Sequence, residues 1–359
     1  LSPGILSDWQ QNTSFGFWTE DSFLSRPAEG YRRIAFRNMG IWEKHRGMEE
    51  DLDRVDNLIR KTLQSSQRTL KDVVNALLSA GGKRLRPAVV LLSGRFGRYD
   101  VHKLIPLAAS VEILHMATLV HDDIIDRSEM RRGKPAVHSR WGVETAVFTG
   151  DFLFTRAFDL LNRTISQKNV RYLFQTVRAL CEGEVEQFES RYREERSVRE
   201  YLGRASRKTA MFFALCCRLG ASESCCRHET IRHLRKFGLN FGMAFQITDD
   251  LLDFAGNGTE MGKPLCSDYR EGIYTLPVIY TLQDSDYRHK ITPYIGKKHP
   301  DDQDISMVGQ LVEESGGMAR SRRMAQRFLN RSRDSLAALP DISARELLWE
   351  LTDELIRRK

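Results

Sequence analysis

Two acidic pentads constrain this chain more than any other feature: Asp122-Asp123-Ile124-Ile125-Asp126 and Asp249-Asp250-Leu251-Leu252-Asp253. Each closes a long apolar stretch, with Leu119-Val120 before the first and Phe245-Gln246-Ile247-Thr248 before the second. On a helix the first and fifth residues of a pentad share a face one turn apart. Asp122 with Asp126, and Asp249 with Asp253, therefore form two-carboxylate claws. If the two helices lie side by side, up to six carboxylates face one cavity and repel one another unless cations intervene. Magnesium answers that need, because it takes oxygen ligands, keeps several waters, and is commonly held by one or two carboxylates plus substrate phosphates. One pentad alone reads as a solvated helix end; two imply a bound diphosphate.

Between these motifs the chain is patterned for helices. It has 10 prolines in 359 residues, and its long uninterrupted stretches are rich in Ala, Leu, Glu, Arg and Lys. The pattern predicts an all-α fold, a single large helical bundle around a central cavity. Helices are expected over 49–64, 68–79, 84–97, 101–123, 143–163, 168–192, 198–219, 226–253, 272–284, 302–316, 317–338 and 343–357. Gly81-Gly82, Gly97, Arg132-Gly133-Lys134-Pro135, Gly220, the 255–264 stretch and Gly316-Gly317 punctuate them. Residues 1–47 show no periodicity and read as an N-terminal extension, irregular or non-native. Residues 48–359 read as one helical domain, in which Met48 is a possible native start and acidic residues follow it in the first turn.

Cations bracket both pentads. Gly81-Gly82-Lys83-Arg84-Leu85-Arg86-Pro87 opens a helix with three basic side chains. Arg131-Arg132 follows the first pentad, and Lys263 follows the second. His115 lies seven residues before Asp122 on nearly the same helix face.

In order, GGKRLRP, LVHDDIIDRSEMRRGKPAVH, TGDFLF, EGEVEQ, RKTA, GMAFQITDDLLDF and MGKP resemble the trans-isoprenyl diphosphate synthases, from about residue 49 to the C-terminus. The details are most similar to the catalytic component II of bacterial heptaprenyl diphosphate synthases. The resemblance implies a magnesium-dependent condensation of isopentenyl diphosphate with an allylic diphosphate, for quinone side chains, with three magnesium ions when substrate is bound. It implies Asp122, Asp126 and Asp249 as direct magnesium ligands, with Asp123, Asp250 and Asp253 nearby or ligating through water. Lys83, Arg86, His115 and Arg132 would hold isopentenyl diphosphate. Arg131, Lys208, Thr209, Gln246 and Lys263 would hold the allylic diphosphate or face its cation. One family position departs: a common Lys is Ile273 here.

Product length is read from the stretch before the first pentad. Leu114, Ala117 and Thr118 reach about 12 Å below Asp122 at 1.5 Å per residue. None is aromatic, and in the family a bulky ring there looks like a floor, so a product near C30 to C50 is expected, C35 favoured. Phe152, Phe154 and Phe158 are candidate deeper floors.

Other classes are disfavoured. The net charge of +7 is a small excess of 55 basic over 48 acidic residues, and no nucleic-acid module is present. The six cysteines have no zinc or disulfide spacing, which fits a cytoplasmic chain. The apolar window 105–120 is too short to span a bilayer, so any membrane contact for product release is expected to be peripheral. A terpene cyclase would not need the second pentad and GGKRLRP; a silent regulatory subunit would not need intact aspartates. A homodimer and a heterodimer with a small component I both remain open.

Overall fold

The structure, a computed structural model, describes residues 42, 45–194, 197–255 and 266–357. All belong to one compact unit, Ala35–Lys359. In chain order the elements are α1 (Arg46–Thr62), α2 (Arg68–Ser79), α3 (Leu85–Gly94), α4 (Val101–Ile125), β1 (Met130–Arg131), β2 (Lys134–Pro135), α5 (Val137–Trp141), α6 (Val143–Thr164) and α7 (Gln167–Ser190). Next come α8 (Val198–Ala205), a π-helical turn (Ser206–Ala210), α9 (Met211–Glu223) and α10 (His228–Ala255). The chain ends with α11 (Ser267–Arg270), α12 (Leu276–Gln283), α13 (Ser285–Ile291), a 3-10 turn (Thr292–Tyr294), α14 (Asp302–Glu314), α15 (Gly317–Ala337) and α16 (Ser343–Arg357). The all-α expectation holds. Of the expected N-terminal extension, Trp42 and residues 45–47 are described, and the Trp42 ring is buried in the core.

The core has two lobes. One joins α1, α3, α4, α6, α9, the first half of α10 and α16; the other joins the second half of α10 to α11 through α15. α4 is central because it is apolar almost all round, with Leu104 through Leu114 buried. Among the described helices it alone is long and apolar enough to cross a membrane, yet its neighbours cover most of it. At its start Asp100 accepts the His102 amide at 2.9 Å. At its end Arg127 takes φ +51°, and the amides of Arg127 and Ser128 bond back to the carbonyls of Ile124 and Asp123. That stop leaves Ile125 as the last residue of the helix and Asp126 as its C-cap.

Two of the departures from expectation shape the site. Residues 132–135, expected as a plain connector, form a two-residue hairpin: Met130 pairs with Pro135 and Arg131 with Lys134. Arg132 and Gly133 turn it with φ of +52° and +73°, the signs a tight hairpin turn requires. The single helix expected over 198–219 is broken at 206–210 by the π turn.

Candidate active site

The π turn organises the site, because its extra residue aims successive side chains at two different helices. Lys208 extends its Nζ to 3.0 Å from Glu184 of α7, beside Asp122. Burial opposes the charge of Lys208, but Glu184, Asp122 and Asp126 hold its pKa above the ordinary range. Thr209, the next residue, donates its hydroxyl to Gln246 Oε1 of α10 at 2.5 Å. Gln246 then donates to Asp250 at 2.8 Å. One turn of chain thus touches the surroundings of both pentads.

The six aspartates are not equivalent. Burial, with Glu184 and Asp126 as anionic neighbours, pushes Asp122 up to about 7. Asp123 is buried and gripped by Arg131, whose Nε lies 2.6 and 2.8 Å from its two oxygens. Asp126 accepts Arg191 Nη2 at 2.5 Å, and the same nitrogen lies 3.8 Å from Glu271. In the second pentad Asp249 is exposed. Asp250 is buried and receives the Tyr201 hydroxyl at 2.5 Å; burial pushes it up to about 6 against that bond and the Gln246 bond. Asp253 turns inward and accepts from Ser267 N at 3.0 Å, Ser267 Oγ at 2.7 Å and Asp268 N at 3.2 Å, which caps α11.

Among the described residues no three Asp, Glu, His or Cys groups converge as a ready-made metal cage. A cation held by one or two carboxylates plus phosphate oxygens needs none. Burial and the anionic neighbours Glu184 and Asp126 lift Asp122, and a divalent ion would relieve that crowding of carboxylates, so the donor set fits one.

A cation cluster lies beside the first pentad. Gly82 lets the Arg132 guanidinium approach: a Cβ there would lie 2.8 Å from Arg132 Nη1, which donates to the Gly81 carbonyl. Arg86 donates to His115 Nε2 at 2.9 Å and lies over the Phe212 and Phe213 rings at 5.4 and 4.9 Å. Burial, then Arg86 and Arg132, hold His115 well below its usual pKa, so it is a neutral acceptor. Lys83 is exposed. Arg84, the third cation of GGKRLRP, points inward. It lies 2.7 Å from both Asp56 of α1 and Glu112 of α4. Its φ of +49° explains that direction, since the left-handed residue before α3 swings this side chain away from Lys83 and Arg86.

A cavity of about 740 Å³ opens between α2, the hairpin, α5 and α4; His115, Met116, Leu119, Asp123 and Arg132 line it. Leu114, Ala117 and Thr118 do not line it. Leu114 and Ala117 are buried and Thr118 is half-buried, on the flank of α4 that carries His121. The His121 ring meets Gly150 of α6 and lies 5.7 Å from the Phe154 ring, which stacks on Phe158 at 6.2 Å. The Arg156 guanidinium lies 6.0 Å from the Phe152 ring. Lys263 lies outside the described residues. Ile273 is buried, with its amide on the Asp268 carbonyl at 2.8 Å.

Sequence reasoning missed Glu184, Tyr201, Arg191 and the Asp56–Arg84–Glu112 set. Complementary charge was the available signal for one of them: Glu184 and Glu186 of EGEVEQ pair with Lys208 and Arg207 of RKTA.

Comparison with known proteins agrees with this geometry. Residues 67–312 match the family model described as polyprenyl synthetase. The chain is 37% identical over 304 residues to heptaprenyl diphosphate synthase component 2 of Geobacillus stearothermophilus, covering 85% of this chain and 94% of the relative. The crystal structure of heptaprenyl diphosphate synthase from Staphylococcus aureus superposes with a TM-score of 0.82 at 30% identity, covering 86% and 97% of the two chains. That of a polyprenyl synthase from Caulobacter crescentus, complexed with calcium and isoprenyl diphosphate, gives 0.84 at 35% identity, covering 89% and 98%. The chain belongs to the polyprenyl synthetase family and is a prenyltransferase.

Proposed function

We propose that the chain is a magnesium-dependent, long-chain trans-polyprenyl diphosphate synthase, with heptaprenyl diphosphate as product and quinone side chains as its use. The observation that carries this reading is the π turn, which sets Lys208 beside the first pentad and Thr209 on Gln246 beside the second, with Arg86, His115 and Arg132 close by.

In this reading Asp122 and Asp126 on one helix, and Asp249 on the other, hold the metal. Magnesium supplies Lewis-acid stabilisation of the leaving diphosphate. Lys208, Arg131 and Lys263 add fixed positive charge where the carbon–oxygen bond of the allylic diphosphate breaks. Gln246, oriented by Thr209, faces the resulting allylic cation. Lys83, Arg86 and Arg132 hold isopentenyl diphosphate so that its double bond meets that cation, and neutral His115 keeps Arg86 in place. The departing diphosphate takes the proton in the last elimination. Asp123, Asp250 and Asp253 are held by Arg131, Tyr201 and Ser267, which suits aspartates that act through water or position their neighbours.

The growing tail follows the flank of α4 that carries Leu114, Ala117 and Thr118, toward Phe154 and Phe158 on α6. Ala117→Phe should shorten the product, and an unchanged length by chromatography would refute this route. We further propose a cytoplasmic enzyme that works with a second subunit, either another copy or a smaller component I, seated on α6 and α7. The decisive assay gives purified chain magnesium, farnesyl diphosphate and labelled isopentenyl diphosphate, with and without a small subunit, and reads product length. Absence of chain growth under both conditions would sink the proposal.

A further inference from the structure

Away from the aspartates, positive charge gathers on one face. α15 carries Arg320, Arg322, Arg323, Arg327, Arg331 and Arg333 against one carboxylate, Asp334. Its buried side is Met318, Ser321, Ala325, Leu329, Ser332 and Leu336. Arg323, Arg327 and Arg331 recur every fourth residue on the opposite side, and all three are exposed. The flanking arginines are used internally: Arg320 lies over the Tyr280 ring at 4.4 Å, and Arg333 pairs with Asp353. Arg323 and Arg327 have no polar partner among the described residues, and Arg331 meets the Phe328 ring at 5.6 Å.

Like charges one turn apart repel, so folding gains nothing from such a row. A neighbouring helix carries further exposed positive charge. α10 packs along α15 and exposes Arg232, Arg235 and Lys236 in its early turns. Glu229 is the acidic residue there and pairs with Arg232 at 3.3 Å. α16, which also packs on α15, exposes two apolar side chains, Trp349 (37%) and Ile356 (41%), and the Arg333 guanidinium lies 5.3 Å from the Trp349 ring.

Guanidinium groups spread across two helices, edged by a half-exposed Trp and Ile, match charge distributed over a plane. That is the chemistry of an anionic lipid surface, where basic residues meet headgroups and amphipathic rings sit at the interface. The early turns of α10 lie about 27 Å along that helix from its aspartates, at 1.5 Å per residue.

We propose that the basic face of α10 and α15 docks the protein on an anionic membrane, so that a water-insoluble prenyl chain leaves into lipid. The use made of docking rests on the function proposed above; the docking itself does not.

The test is cosedimentation of the full chain with vesicles of phosphatidylcholine alone or mixed with phosphatidylglycerol. Binding is expected to the mixed vesicles, with release at high salt. At about fivefold per charge, R323Q/R327Q/R331Q should weaken partitioning by about a hundredfold. R235Q/K236Q should weaken it independently. Both variants should keep the wild-type melting curve and prenyl transfer in detergent. Equal binding to both vesicle types, full binding by the triple variant, or no binding at low salt overturns the proposal. So does loss of an acidic partner protein from the triple variant while its vesicle binding persists, which would assign the face to protein. Vesicle binding without prenyl transfer would strike the enzymatic reading and leave docking standing.

Discussion

Glu112 shows how one residue makes the cation cluster possible. It sits 4% exposed inside α4, 2.7 Å from Arg84, and its charge also reaches Arg86 and Arg132. Without it, three guanidinium groups would crowd a region where burial already lowers the pKa of Arg86 and Arg132. Glu112→Gln keeps the shape and removes the charge, so it should cost about 3–5 kcal/mol in denaturant unfolding, the range for breaking a buried pair. A variant as stable as wild type would show that Asp56 alone balances Arg84. Asp122 makes the opposite case, a charge that Lys208 and Arg131 offset only in part. Its pKa of about 7 exceeds the unfolded carboxylate value, so between roughly pH 4 and 7 the folded chain holds a proton that the unfolded chain has lost. On this account metal-free stability is greatest below that window and falls as pH rises through it. A divalent ion replaces the proton, so magnesium should raise the melting temperature more at pH 8 than at pH 6. An equal rise at both would mean that the ion does not bind there.

At the scale of elements, the hairpin is the clearest case of local geometry aiming function. Arg131 reaches Asp123 and Arg132 reaches Gly81 because Arg132 and Gly133 both take positive φ. Nothing lies within 4 Å of a Cβ added at Gly133, so Gly133→Ala isolates the cost of the dihedral, about 1–2 kcal/mol. A lower melting temperature and a higher KM for isopentenyl diphosphate are expected; a changed melting temperature with unchanged KM would detach the turn from binding. The sequence could not yield this hairpin, since two-residue strands carry no alternation to read. Its helices were far more legible. Both 68–79 and 343–357 appear with their expected bounds, because long stretches free of Gly and Pro leave few alternatives. Gly272 at φ +75° and extended Thr275 delay the helix expected from 272 until Leu276. The π turn at 206–210 escaped reading for a different reason. Ser206 to Ala210 is ordinary helical composition, and the extra residue is selected by partners distant in sequence, Glu184 and Gln246. The aspartates could be found because their own spacing carries the chemistry; Tyr201 and Arg191 could not, because only folding brings them to Asp250 and Asp126.

The whole molecule presents an apolar surface that its own core does not use. Phe148 is 69% exposed on α6, and Phe174, Val185 and Phe188 are each more than half exposed on α7. Phe174 continues inward through Phe158, 6.1 Å away, to Phe154 and His121 on α4. A subunit seated here would therefore back the same flank of α4 along which the tail is proposed to run. Large exposed aromatic patches mark interaction sites in soluble proteins, and burying each Phe is worth about 1.5–3 kcal/mol. Phe148→Glu with Phe174→Glu places a charge on each of the two helices and touches none of the residues proposed to bind diphosphate. Sedimentation velocity should show the wild-type chain as a dimer, or as a complex with its small subunit, and the double variant as a monomer. If tail growth leans on this interface, the variant should also release shorter products while its first condensation remains near the wild-type rate. A double variant that sediments like wild type would move the interface elsewhere, and a monomer that still makes full-length product would separate assembly from chain length.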